Sequence, residues 1–175
     1  MRYQGKEKVM KKERFNVKDA LVIGGVAGIV SGFVKLGWEV LLPPRTPERE
    51  LTNPPQKFMQ QLGIPHKVTH ATYTYSGHEM PWASFIIHFG FSATFGMFYS
   101  VAGHYLPIIK TGHGTLFGAG VWAVTHVALM PKMGTVPAAK EQPLEEHVSE
   151  ALGHMAWMWV NHVVIEELKN EESQK

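Results

Sequence analysis

The chain has 175 residues, of which only 18% are charged, fewer than the roughly 25% of an average soluble domain. Its formal net charge of +2 does not favour nucleic acid as a partner, and the absence of cysteine excludes disulfides, thiolate metal sites and cysteine catalysis. The mean hydropathy of −0.10 conceals long uncharged runs, because residues 80–109 and 111–131 contain no Asp, Glu, Lys or Arg. Such runs have no wet face and are typical of membrane helices.

Four apolar segments predict an all-α, polytopic membrane protein. The predicted transmembrane helices lie at about 20–42, 81–106, 114–130 and 148–166, within a membrane domain of residues 20–166. A basic segment, 1–19, precedes them, the longest loop is 43–80, and 167–175 forms a tail. Ten Lys and Arg residues fall on the side of the termini and six on the other side. This bias predicts cytoplasmic termini and an outer loop at 43–80.

The first predicted span combines a glycine stripe with two charges. Gly24, Gly28 and Gly32 repeat every four residues, the spacing that lets two membrane helices approach closely. Lys35 and Glu39 project to the same side and are expected to face the helix that packs on this stripe. A lysine at mid-membrane costs about 2.5–3.5 kcal/mol on insertion scales, so pairing of Lys35 with Glu39 or Glu150 is predicted. In the alternative, Lys35 snorkels and Glu39 meets interfacial water.

Each of the other three spans carries polar groups along one side. Because successive spans alternate in direction, the strongest of these groups fall at one depth, near the outer side. The predicted polar layer consists of Lys35, Glu39, His88, Ser92, His126, Glu150 and His154. Arg45, His78 and Glu146 are predicted at the rim of this layer. Intramembrane ionisable groups in such a layer indicate a functional site.

At these positions the chain resembles the YagU family of bacterial inner-membrane proteins. The matching blocks are AGIVSGFVKLGWEVLLPPRTP at 27–47, YTYSGHEMPW at 73–82 and SEALGHMAWMW at 149–159, with His88, Ser92, His126 and Glu146 at matching positions. They cover most of the chain between the first and fourth spans. The first outer loop departs from the family: it is shorter and lacks the cysteines of some relatives. The resemblance implies a multi-pass inner-membrane protein linked to survival in acid, and it implies no particular chemistry.

Three functions are open at this point. The polar layer could be proton-responsive or ion-handling, because histidine titrates near pH 6.5 when unperturbed. It could instead hold a metal ion or haem, for which His88, His126, Glu150 and His154 are the candidate ligands, the cofactor being left open. It could also be purely structural, fixing helix register through interhelical hydrogen bonds. Catalysis is not expected, since no nucleophile, phosphate loop or metalloprotease motif occurs. The expected partners are the lipid bilayer and further copies of the chain.

Overall fold

The computed structural model describes residues 15–42 and 51–173. In chain order it contains α1 (Val17–Leu41), α2 (Pro54–Gln61), α3 (His66–Thr69), β1 (Tyr73–Tyr75), β2 (His78–Met80) and α4 (Trp82–Tyr105). A 3₁₀ turn, Pro107–Lys110, leads to a continuous helix, α5, with an α-helical part Thr115–Trp122, a π-helical part Ala123–Leu129 and a last turn Met130–Lys132. A second 3₁₀ turn, Ala139–Glu141, precedes α6 (Leu144–Ser173). Each predicted span lies on one of α1, α4, α5 and α6.

Local sequence signals explain where the long helices begin and end. The side chain of Asn16 caps α1 by accepting a hydrogen bond from the backbone N–H of Lys18 at 3.0 Å. Pro81 precedes α4, and Pro107 follows it, where a proline cannot continue the helix. Gly114 before α5 has φ +83°, which favours glycine. A side chain there would also collide with the backbone of α6.

The four long helices pack as an alternating bundle. α1 runs antiparallel to α4 on one side and to α6 on the other, and α5 packs antiparallel on α6. Consequently α1 begins, and α6 ends, at the same end of the bundle. Gly24, Gly28 and Gly32 are buried against α4, and a Cβ built on Gly28 would lie 2.5 Å from the carbonyl oxygen of Ser92. The stripe therefore brings two backbones into contact, as small residues do in membrane helix pairs.

The outward surface of the bundle is apolar. Val22, Val26 and Phe33 on α1 are 67%, 48% and 61% exposed, on the side that faces away from the bundle. Among the described helices, α1 and α4 are both long and apolar enough to cross a membrane. A helix with small buried residues on one side and large exposed apolar residues on the other is built to lie between protein and lipid.

The loop between α1 and α4 corrects the expectation of a purely helical chain. Strands β1 and β2 form an antiparallel hairpin in which Tyr73 pairs with Met80. Ser76 and Gly77 form its turn with φ of 50° and 80°, the positive angles that two-residue hairpin turns require. The hairpin is too short to have given a clear alternating pattern in the sequence.

The described part of this loop is docked on the bundle. The Asn53 side chain donates to the Ser84 hydroxyl of α4 at 2.8 Å, and the Thr135 hydroxyl donates to Gln61 at 2.7 Å. The loop thus contacts the start of α4 and the segment that follows α5. It covers the end of the bundle at which Lys35 lies.

Candidate functional site

A buried lysine shared by two carboxylates forms the centre of the site. The Nζ atom of Lys35 donates to Glu39 Oε1 at 2.6 Å, one turn along α1, and to Glu150 Oε2 at 2.9 Å on α6. The side chains of Lys35 and Glu150 are each 8% exposed, whereas that of Glu39 is 19% exposed. Glu39 is therefore the member of this chain of ion pairs that is nearest to solvent.

Two histidine rings adjoin this ion pair. His154 lies one turn after Glu150 on α6, and its Nδ1 atom is 3.7 Å from Glu150 Oε2. The ring of His126 on α5 meets the ring of His154 edge-on, with centroids 4.9 Å apart. We call Lys35, Glu39, His126, Glu150 and His154 the Lys35 cluster. It joins side chains from three helices in one polar group, in which Lys35, Glu150 and His154 are buried.

A π-helical segment brings His126 into the cluster. Within Ala123–Leu129 the backbone follows the π pattern, and the N–H of Met130 reaches the carbonyl of Thr125, five residues back. Pro131 follows directly, lacking an N–H and crowding the carbonyl four residues before it, which gives a local reason for the wider turn. Such segments are frequent at functional sites. The sequence predicted an ordinary helix here and gave no signal for the π turn beyond the proline.

Close approach of α5 to α6 depends on Gly118. A Cβ built at this position would collide with the carbonyl oxygen of His154. The glycine therefore sets the distance between the two histidine-bearing helices. Gly120, in the same helix, has open space around its Cα and plays no such part.

Two predicted members of the polar layer, His88 and Ser92, lie on α4 and bond to the backbone of α1. His88 Nε2 is 2.9 Å from the carbonyl oxygen of Gly32 and donates to it. The Ser92 hydroxyl donates to the Gly28 carbonyl at 2.6 Å and accepts a bond from Trp157 Nε1 at 2.7 Å. These groups tie α4 to α1 and α6, next to the Lys35 cluster rather than within it.

The three residues predicted at the rim of the polar layer differ in their location and burial. His78 lies in the exposed hairpin strand β2. Glu146 is buried, at 1% exposure, in the first turn of α6. Its position one turn before Glu150, near the positive end of the helix dipole, favours a carboxylate there. Arg45 lies outside the described residues.

Lys35 pairs with both predicted carboxylates, but it faces a different helix from the one on which the glycine stripe packs. The glycine stripe packs on α4, whereas Lys35 pairs with Glu150 of α6. The reason is that α1 is sandwiched between two helices, so neighbouring positions on its buried side reach different partners. Trp38 reinforces the α6 contact, since its Nε1 donates to the carbonyl of Ser149 at 3.0 Å.

A second polar group lies at the opposite end of the bundle. Lys110 Nζ pairs with Glu166 Oε1 at 3.2 Å, and the Tyr99 hydroxyl is 3.0 Å from His162 Nδ1. Partial burial and the neighbouring Lys110 ammonium lower the pKa of Lys169, and Glu166 opposes this shift. We call Lys110, Glu166, Lys169, Tyr99 and His162 the Lys110 cluster.

A cleft of about 510 Å³ lies apart from both clusters, between α4, the Pro107–Lys110 turn and α5. It is lined by apolar side chains such as Phe95, Phe98 and Phe117, and none of the described residues in its lining is ionisable. Apolar side chains of this kind pack against lipid. The ionisable groups, rather than this cleft, therefore define the candidate site.

Apolar outward faces and ion pairs buried between helices define a helical integral membrane protein. A family model described as "Protein of unknown function (DUF1440)" matches residues 29–163, and the chain belongs to this family. The chain is 34% identical over 174 residues to "Inner membrane protein YagU" of Escherichia coli (strain K12), covering 86% of this chain and 84% of that protein. No solved structure gives a significant match. The prediction of a YagU-family protein of the bacterial inner membrane is confirmed.

Proposed function

We propose that this inner-membrane protein handles cations, protons above all, through the Lys35 cluster and thereby contributes to survival in acid. The observation that carries the proposal is a single buried lysine shared by two carboxylates, with two imidazole rings beside them. Intramembrane groups of this kind are costly and generally mark ion or proton paths.

The side chains of the cluster support a cation as its partner. Two carboxylates and two imidazoles lie around one lysine, and these are groups that bind protons or other cations. His88, on the remaining neighbouring helix, donates to a backbone carbonyl of α1.

The proposal includes a topology. We infer four membrane-spanning helices, α1, α4, α5 and α6, with cytoplasmic termini, so that the Lys35 cluster lies toward the outer side. The alternating bundle and the excess of Lys and Arg near the termini support this orientation. Acid outside the cell would then reach the cluster through Glu39, the most exposed of the three residues that form its ion pairs.

The proposal also includes a homo-oligomer and no catalytic activity. Four helices of these lengths enclose little volume beyond the cluster itself, so a continuous path for ions within one copy is short. Packing of further copies against the exposed side of α1 would enclose more. Cross-linking in native membranes measures this directly, and a chain that stays monomeric in lipid would remove this part of the proposal.

Ion flux in proteoliposomes and acid survival of cells test the proposed function. The decisive variants are His126→Gln and His154→Gln, because glutamine keeps hydrogen bonding but cannot take up a proton at these pH values. Proton handling predicts that both variants lose acid-driven flux and acid survival. His147→Gln is the matched control on α6, since His147 lies outside the Lys35 cluster and its Nε2 donates to the Ala139 carbonyl in the neighbouring turn. Glutamine variants that behave like the unmodified chain would instead favour a purely structural role.

A further inference from the structure

We propose that His126, Glu150 and His154 form a binding site for a divalent transition-metal ion, and that zinc is the ion it suits best. This inference rests on the proposed function, because it names a cation that the Lys35 cluster would hold. It is carried by the geometry of three side chains from two helices, α5 and α6.

The ligand atoms of the three residues already converge. One atom from each, an imidazole nitrogen or a carboxylate oxygen, lies within 4.8 Å of the other two. A tetrahedral zinc ion with bonds of about 2.0–2.2 Å holds its ligand atoms roughly 3.3 Å apart. The three groups would therefore close by about 1.5 Å or less, a movement within reach of side-chain rotation.

The hydrogen bonds around His154 prepare it for coordination. Its Nδ1 atom lies 2.7 Å from the carbonyl oxygen of Glu150, which can only accept, so Nδ1 carries the hydrogen. In the neutral ring, Nε2 then holds the lone pair. Metal-bound histidines commonly show this arrangement, in which the second ring nitrogen donates to a backbone carbonyl or carboxylate.

The charges around Glu150 allow it to serve as a ligand. Lys35 donates to Oε2 of Glu150 at 2.9 Å. The charge of Lys35 is offset by Glu39 at 2.6 Å. Lys35 then acts as an outer partner that orients the carboxylate, as groups around metal ligands generally do.

The donor set selects the class of metal. Two imidazoles and one carboxylate suit zinc and neighbouring transition metals, and three protein ligands leave a fourth position for water or an exchangeable ligand. Magnesium and calcium prefer oxygen ligands throughout. His88 is not part of the set, because its Nε2 atom is committed to the backbone of α1. The structure thus narrows the four candidate ligands of the sequence to three.

Zinc binding by the purified full-length protein in detergent tests this inference. The chain is mixed with zinc at neutral pH and desalted, and bound metal is measured by mass spectrometry. We expect about one zinc ion per chain, and in His126→Gln or His154→Gln roughly tenfold less. His88→Gln and His147→Gln should retain the metal. X-ray absorption at the zinc edge, which needs no variant, should give nitrogen and oxygen ligands near 2.0–2.1 Å with two imidazoles.

Either of two outcomes of the zinc measurement would overturn the zinc site: unmodified protein that retains little zinc after desalting, or equal zinc in the His126 and His154 variants and in the unmodified chain. An X-ray absorption spectrum that shows no imidazole ligand on the zinc would also overturn the site. If zinc does not bind but the same variants lose acid survival, the metal site alone is wrong. If zinc binds as expected and acid survival and ion flux are unaffected, the proposed function fails while the metal site stands.

Discussion

The two ends of the bundle contain similar ion pairs in different surroundings. Lys35 and Glu150 are 2.9 Å apart with side chains 8% exposed, whereas Lys110 and Glu166 are 3.2 Å apart with side chains 32% and 43% exposed. Solvent screens the second pair, so it is worth about 0–1 kcal/mol. The first pair is largely buried, and its lysine also bonds to a second carboxylate, Glu39. The comparison teaches that burial and the sharing of one lysine by two carboxylates, rather than residue type, distinguish the Lys35 end.

Removing one lysine from each end should give the largest difference in stability between variants of the two ends. Lys35→Met leaves two buried carboxylates without their shared cation, so we expect a loss of about 3–5 kcal/mol of unfolding free energy. Lys110→Met removes a screened pair and should cost about 1 kcal/mol or less. Denaturant unfolding in mixed micelles measures both. Equal losses would show that the two ends are energetically alike.

Glycine substitutions test the packing that supports the Lys35 end. In Gly28→Ala the new Cβ would meet backbone atoms of Ser92 and Ala93 at 2.5–2.9 Å, and we expect a loss of about 1–3 kcal/mol. Gly25→Ala is the matched control, because its Cβ would meet only the flexible Met97 side chain at 3.7 Å or beyond. The same unfolding measurement applies. A Gly28→Ala variant as stable as Gly25→Ala would contradict the close contact of α1 with α4.

A second pair of glycine substitutions tests the Lys35 cluster itself. Gly118→Ala would push α5 away from the His154 carbonyl and separate the two histidines. We expect zinc binding roughly tenfold weaker, about 1.4 kcal/mol. Gly120→Ala, in open space on the same helix, should bind zinc like the unmodified chain. Calorimetric titration compares them, and unchanged affinity in Gly118→Ala would rule out a role for this contact in setting the site.

The smallest expected effect belongs to the Lys110 end. Partial burial and Lys110 lower the pKa of Lys169, so the folded state disfavours its charge. Lys169→Gln should therefore stabilise the protein slightly at neutral pH, by about 0.5 kcal/mol at most. As the pH rises toward the ordinary lysine pKa, the unfolded chain keeps this proton longer than the folded one. The unmodified protein then gains stability and the difference shrinks. If the difference in stability between the two proteins instead grew with pH, the pKa of Lys169 would be raised in the folded state, which would contradict this account.

The periodicity of residue types and the distribution of charge predicted which residues face inward and at what depth, because both patterns can be read along a single helix. The four-residue glycine spacing placed Gly24, Gly28 and Gly32 on a buried face, and alternating helix direction placed His126, Glu150 and His154 at the depth of Lys35. Which residues then touch depends on helix rotation and pairing. For this reason the sequence predicted Glu39 or Glu150 as the partner of Lys35, but it did not predict that Lys35 and the glycine stripe would face different helices, that His88 would bond to the backbone, or that Glu146 would be buried. The π turn that places His126 depends on a backbone adjustment that side-chain periodicity does not report.

The central claim is that the Lys35 end, and not the Lys110 end, carries the function. Survival of a bacterial host at acid pH, with Glu150→Gln and Glu166→Gln compared at equal membrane abundance, tests it most directly. Both variants replace a salt-bridged carboxylate on α6 with its neutral isostere. We predict that Glu150→Gln loses acid survival and that Glu166→Gln retains it. Equal survival of the two variants, whether high or low, would contradict the claim.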